Sequence, residues 1–158
     1  MPKILFVCTA NQCRSPMAEV LFKQKLSEKK NPDGWTVESA AAWGPSGERA
    51  TENARLVAAE NGLDLDLHRS RRVEDLDLNS FDLILVMQAG HQEGLRAEFP
   101  DLAERIHLLS EMSGPPYGVR DPAGEDIERY RRTWTEIDGL IEAGFETIIE
   151  KIGIRKNR

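Results

Sequence analysis

Chemistry-bearing residues cluster near the amino end, in Cys8-Thr9-Ala10-Asn11-Gln12-Cys13-Arg14-Ser15. A cysteine, five intervening residues, an arginine and a serine place a nucleophile and a fixed cation on one short loop. The thiolate is the nucleophile, and a free thiol is only a few per cent ionised at pH 7. The apolar run Ile4-Leu5-Phe6-Val7 before the loop reads as a buried strand. Met17-Ala18-Glu19-Val20-Leu21-Phe22 after it reads as the start of a helix. Backbone N–H groups at such a strand–turn–helix junction converge on an anion. Together with Arg14 they would hold Cys8 as the thiolate and hold a phosphate placed above it. The arginine fork grips two phosphate oxygens at once, which lysine cannot do. The expected phosphate-binding residues are therefore Thr9, Ala10, Asn11, Gln12, Cys13, Arg14 and Ser15. Ser15 could hydrogen-bond the sulfur as it leaves. Asn11 tolerates the left-handed backbone that a tightly curled loop requires.

Phosphoryl transfer to sulfur also needs a proton for the departing oxygen. Asp121, in Arg120-Asp121-Pro122, is the candidate, and Pro122 restrains the backbone that carries it. Asp121 would protonate the leaving group and then take a proton from the water that attacks the cysteinyl phosphate. The scheme needs no metal and no cofactor. His68, His91 and His107 fall at no ligand-like spacing, and two cysteines are too few for a zinc site. Taken alone, a cysteine is more often a small buried hydrophobe, and an Asp-Pro pair more often a turn. The spacing to Arg14 and Ser15 at a strand–helix junction is what favours chemistry. Cys13 stays open between a packed small residue and a partner for Cys8 in a reversible, protective disulfide.

The rest of the chain must position these groups. A first strand over residues 3 to 8 and a helix from Ser15 to Lys29 flank the loop, with Met17, Val20, Leu21 and Leu26 at helical spacing. Asn31-Pro32-Asp33-Gly34 is a turn, and Trp35 to Ser39 a second strand. A small-residue loop from Ala40 to Gly47 leads to a helix over Glu48 to Asn61, with Gly62 placed as its C-terminal glycine. His68 to Arg72 opens a short helical or irregular piece. Asp82 to Met87 is the clearest buried strand, and a helix from Gly90 to Phe99 follows. Arg105 to Leu109 is the fourth strand, Ser110 to Pro122 a loop, and Asp126 to Ile152 a long final helix. Four strands alternating with about five helices imply an α/β, doubly wound, flavodoxin-like parallel sheet with helices on both faces. In such sheets ligands bind beyond the carboxyl ends of the strands. Both Cys8 and the loop carrying Asp121 lie there.

At 158 residues, the expectation is one domain spanning 1–158. A net charge of -6 argues against nucleic-acid binding, and no apolar run reaches the length of a membrane span. The short basic tail from Lys151 to Arg158 reads as a frayed helix end. Met1-Pro2-Lys3 runs straight into the first strand without a secretory leader, so the expected compartment is the cytoplasm. No Gly-x-Gly-x-x-Gly motif follows a strand, and no Gly-Lys-Ser/Thr loop is present, which disfavours dinucleotides and nucleoside triphosphates.

The loop, continued by Pro16-Met17-Ala18-Glu19, resembles the signature of the low-molecular-weight protein tyrosine phosphatases. Ser39-Ala40, His68-Arg69 and Phe81-Asp82-Leu83-Ile84 match family positions in the same order, so the resemblance covers nearly the whole chain. It implies a four-stranded parallel sheet, a phosphocysteine intermediate on Cys8 and an acid at Asp121. It also implies that Ser39 and His68 support Asn11 and the loop; on their own residues they read as a strand end and a helix boundary. Three departures bear on substrate. Gln12 stands where tyrosine-specific members carry isoleucine and related phosphoarginine phosphatases carry threonine. Ala123-Gly124 stands where tyrosine-specific members often carry two aromatics. Gln88 replaces an acidic residue common after the third strand. Trp43 and Tyr117 could supply the missing wall of the substrate pocket beside Gln12, or could be loop anchors.

The expected function is hydrolysis of phosphotyrosine in a phosphorylated protein substrate, with phosphoarginine as the alternative. Arsenate reduction would require distal cysteines, and none follows Cys13. A non-catalytic phosphate- or flavin-binding module would need neither Cys8 nor Asp121.

Overall fold

The computed structural model describes residues 1–29 and 34–156. Four parallel strands form one sheet: β1 (Lys3–Cys8), β2 (Thr36–Ala41), β3 (Leu83–Val86) and β4 (Ile106–Leu108), in the order β2-β1-β3-β4. The helices are α1 (Arg14–Glu28), α2 (Glu52–Glu60), α3 (Ala89–Glu98) and α4 (Ile127–Lys156).

Alternation along β1 divides the core. Ile4 and Phe6 face a cluster containing Met17, Phe22, Val57, Ile137 and Phe145, drawn from α1, α2 and α4. Leu5 and Val7 face Val73, Phe81, Leu95 and Leu102, drawn from α3 and from short 3-10 turns. All four of these β1 side chains are fully buried, as expected of a central parallel strand covered on both faces. The chain leaves β1 first toward β2 and later, after α2, toward β3. The order therefore reverses at β1, and the crevice of this doubly wound sheet opens past the carboxyl ends of β1 and β3.

Several boundaries differ from the sequence reading, and at β2 and α2 tertiary hydrogen bonds are the cause. Strand β2 runs on through Ala40 and Ala41, which pair with Val7 and Cys8. The second helix starts at Glu52 rather than Glu48, because Glu48 is held in an extended strap. Its carbonyl accepts Ser70 N–H at 2.7 Å and its own N–H reaches Ser70 Oγ at 2.9 Å. Thr51 then caps the helix through Ala54 N–H. Residues 68–72 are irregular, and a 3-10 turn follows at Val73–Asp75. The final helix continues to Lys156, past the expected Ile152. Apart from Gly34, the turn expected at Asn31-Pro32-Asp33-Gly34 lies outside the described residues, as do the last two residues of the basic tail.

Helix α4 crosses the 3-10 turn Leu109–Met112 closely at Gly144. A β-carbon there would lie 2.6 Å from Met112 Cβ and 3.3 Å from its carbonyl carbon. This contact sets the base of the loop that carries Asp121. Gly144→Ala should therefore lower the unfolding temperature: overpacking costs about 1–3 kcal/mol and outweighs a helix-propensity gain of about 1 kcal/mol. Gly139→Ala, on the open side of the same helix, should instead raise stability by about 0.5–1 kcal/mol. Effects of the same sign in thermal unfolding would contradict the close packing at Gly144.

Candidate active site

The loop between β1 and α1 curls back over its own helix. Among the described residues Asn11 alone of the non-glycines has positive φ, at 59°. Its side chain secures the conformation that its backbone adopts. Asn11 Nδ2 donates to Ser15 Oγ at 2.8 Å and to Ser39 Oγ at 2.9 Å, and its Oδ1 accepts Arg71 N–H at 3.0 Å. His68 Nε2 donates to the Asn11 carbonyl at 2.7 Å. Ser39 in turn donates to Glu19 Oε1 at 2.8 Å. Ser39 and His68 thus make the contacts that the family resemblance implied. Arg71 and Glu19 complete the clamp.

Helix α1 begins without a side-chain cap and without an acidic residue in its first turn, so its free N–H groups face the loop. Cys8 Sγ receives Ser15 N–H at 3.4 Å and lies 3.0 Å from Ser15 Oγ. The dipole end and the serine hydroxyl therefore meet the sulfur directly. Arg14 is 1% exposed. Its Nη1 donates to the Val119 carbonyl at 2.8 Å and its Nη2 to Thr9 Oγ1 at 3.3 Å. Its Nε–H is buried and has no hydrogen-bond partner among the described residues.

Asp121 comes from across the sheet. Val119 N–H donates to the Met87 carbonyl at 2.8 Å, docking the loop on the end of β3, while the Val119 carbonyl receives Arg14. Two residues on, Asp121 Oδ2 lies 3.6 Å from Arg14 Nη2, and Oδ1 accepts Ala123 N–H at 3.0 Å. Cys8, Arg14 and Asp121 meet around a cleft of about 60 Å³, also lined by Ala10, Gln12, Cys13, Thr51 and Ala123. A larger cleft of about 550 Å³ opens at the other end of the strands. Its most buried acid, Asp82, is occupied by Lys3 N–H at 2.9 Å and by Arg155 and Lys156, so size does not mark the reactive place.

Two expected pocket residues are elsewhere. Trp43 touches the loop through its backbone, donating to the Thr9 carbonyl at 2.9 Å, but its indole is 78% exposed and does not line the cleft. Tyr117 turns away, and its hydroxyl donates to Glu136 at 2.9 Å. Gln12 does line the cleft, and Thr51 N–H holds its carbonyl at 3.0 Å. Cys13 is a free thiol, as is Cys8, with its sulfur 3.5 Å from both Thr51 Oγ1 and Tyr130 Oη. Burial pushes the Cys13 thiol up, and pushes the Tyr130 hydroxyl up to about 12.

A family profile described as low molecular weight phosphotyrosine protein phosphatase matches residues 3–154. The chain belongs to that family. Its members are cysteine-dependent hydrolases. A protein-arginine-phosphatase of Geobacillus stearothermophilus is 34% identical over 89% of this chain and 91% of its own length. The low molecular weight protein-tyrosine-phosphatase PtpB of Staphylococcus haemolyticus is also 34% identical, over 88% of this chain and 94% of its own. Among solved structures, a low molecular weight protein tyrosine phosphatase from T. tengcongensis superposes with a TM-score of 0.85 at 36% identity, covering 96% of this chain and 99% of that one. No helix among the described residues is long and apolar enough to cross a membrane.

His91, which the sequence offers only as a metal ligand at no ligand-like spacing, belongs to the site. The ring sits at the start of α3 and bonds Thr9 Oγ1 at 2.9 Å. Burial, together with the Arg14 charge, pulls its pKa down to about 4, against the weaker opposing pull of Asp121. Between the ordinary value of 6.5 and about 4, the unfolded chain gains a proton at this site that the native chain refuses. Stability should therefore fall as pH falls through that window. In His91→Gln the fall should be shallower by up to one proton, and identical slopes in denaturant titrations between about pH 6.5 and about pH 4.5 would contradict the shift.

Proposed function

We propose that this protein hydrolyses phosphotyrosine in protein substrates through a phosphocysteine on Cys8. The observation that carries the reading is the buried Arg14 guanidinium beside the Cys8 thiol. Its Nε–H is left without a partner in a place where an unmet donor costs about 1–3 kcal/mol or more. A tetrahedral dianion above the sulfur would meet that donor and the free N–H groups of α1 together.

The Cys8 thiolate attacks phosphorus, and the bond to the substrate oxygen breaks as Asp121 gives that oxygen its proton. The Asp121 carboxylate then accepts a proton from the water that attacks the phosphocysteine, and the sulfur leaves as thiolate toward Ser15. Arg14 follows the equatorial oxygens through both steps. Ser39, His68 and Asn11 act behind this by fixing the loop. The substrate is a phosphorylated protein rather than nucleic acid, and the scheme uses no cofactor.

A second reading, phosphoarginine, rests on the cleft mouth. Gln12, Thr51 and Ala123 line it, and among the described residues no aromatic ring lines it to sandwich a phenyl group. Two protein-arginine-phosphatases are also among the relatives at 34% identity. The same two steps would cleave P–N, with Asp121 protonating the guanidine nitrogen.

Cys8→Ser should abolish release of para-nitrophenol from its phosphate ester while retaining binding of inorganic phosphate; a variant that still turns over at the native rate refutes the nucleophile. Asp121→Ala should slow phosphotyrosine peptides by about 10²–10⁴-fold, and aryl phosphates with very acidic leaving groups much less. Equal slowing would remove the acid role. Phosphate release from matched phosphotyrosine and phosphoarginine peptides decides between the two substrates.

A further inference from the structure

Gln88, the departure after the third strand, meets His91 through its backbone. At the start of helix α3 the Gln88 carbonyl accepts His91 N–H at 3.0 Å and Gln88 N–H reaches His91 Nδ1 at 3.2 Å. This fixes the tautomer. A backbone N–H can only donate, so Nδ1 carries a lone pair and the ring proton sits on Nε2. Nε2 lies 2.9 Å from Thr9 Oγ1, so the ring is the donor and Thr9 the acceptor. Arg14 Nη2 donates to the same oxygen at 3.3 Å. Both lone pairs of the Thr9 hydroxyl are thus filled.

We propose that His91 is a positioning residue for the phosphate loop, its Nε2–H pinning Thr9 Oγ1 as the seat against which the Arg14 guanidinium is oriented. Val119 fixes one end of that guanidinium and Thr9 the other. With both Nη groups held, the fork has a single rotation, and the unpartnered Nε–H is presented in one direction. The pinning also bridges the crevice, since Thr9 follows β1 and His91 follows β3. Helix α3 is therefore mechanically part of the anion site although it touches no reacting atom. A protonated ring would turn Nδ1 into a donor facing the Gln88 N–H, so the arrangement requires neutral imidazole. The proposal rests on the reading of Arg14 as the phosphate-gripping cation.

Two substitutions separate the roles of the ring. The amide of His91→Asn reaches where Nδ1 stands and can keep the cap while losing Thr9. That of His91→Gln reaches where Nε2 stands and can keep Thr9 while losing the cap. Calorimetric binding of inorganic phosphate and kcat/KM for para-nitrophenyl phosphate should each weaken about tenfold in His91→Asn and stay within about twofold in His91→Gln. The His91→Asn loss should vanish in a Thr9→Val background. The Arg14 Nε–H resonance, shifted on adding phosphate to the native protein, should broaden in His91→Asn. Native phosphate affinity in His91→Asn, or an equal loss in His91→Gln, overturns the proposal. If His91→Asn does not fold, ring nitrogen shifts of the native protein decide: an Nδ1-protonated or doubly protonated ring at neutral pH overturns it, and an Nε2-protonated ring upholds it. A native protein that binds phosphate but hydrolyses no phosphomonoester would refute the proposed reaction and leave the positioning role standing.

Discussion

A guanidinium buried to 1% exposure is the constraint around which this structure is arranged. Moving such a charge out of water is expensive unless other groups replace the lost solvation. The only carboxylate within ion-pair distance among the described residues is Asp121, at 3.6 Å and itself 43% exposed, which is a loose pairing. Compensation comes instead from the Val119 carbonyl and the Thr9 hydroxyl, and it is incomplete at Nε. Arg96, Arg129 and Arg155 also bury an unpartnered Nε–H, but their side chains are partly exposed, whereas that of Arg14 is buried whole. The deficit is supportable if an anion regularly occupies the place, and the bare amino end of α1 points at the same spot.

The sheet topology explains how so few residues suffice. Reversal of strand order at β1 opens a crevice between two loops that belong to neighbouring strands. The loop after β1 supplies Cys8 and Arg14. The end of β3 supplies the Met87 carbonyl that docks the Asp121 loop, and the Gln88–His91 cap that holds Thr9. Each part is anchored by backbone hydrogen bonds to a rigid strand end, so reactive side chains sit on short levers. Met112 wedged against Gly144 fixes the far end of the Asp121 loop, giving α4 a bearing on the site from the opposite side.

What was legible in the sequence was local. The strand–loop–helix junction, the left-handed Asn11 and the Ser15 contact follow from residue types at short spacing, and the structure has all three. The parallel sheet was legible because Asp82 to Met87 and Ile4 to Val7 are apolar runs bounded by polar turns. Contacts between distant segments were not. Nothing near Glu48 announces that Ser70 will hold it extended, so the sequence pattern starts the helix four residues early. Arg71 serves Asn11 through its backbone N–H, a role any non-proline residue could fill and therefore one with no sequence signature. For Trp43 and Tyr117, aromatics near a loop suggest a pocket wall, but side-chain direction depends on packing that the sequence does not display. Gln88 meets His91 only through its backbone N–H and carbonyl, so the residue type at 88 carries no sign of the cap.

The two cysteines show how one loop assigns different chemistry to like side chains. Cys8 closes a strand and points at the beginning of α1, where an N–H and a hydroxyl approach its sulfur. Cys13 sits five residues on, immediately before that helix, and its sulfur faces Thr51 and the buried Tyr130. Donors aimed at sulfur favour the anion, whereas burial favours the neutral thiol. For Cys13 burial outweighs the two hydroxyl contacts, and its thiol is pushed up. The proposed nucleophile is therefore distinguished by the direction of the surrounding donors rather than by exposure, since both thiols are buried. Because those directions descend from the left-handed turn at Asn11, a change that relaxed that one residue would blur the difference between the two sulfurs before it disturbed the sheet beneath them.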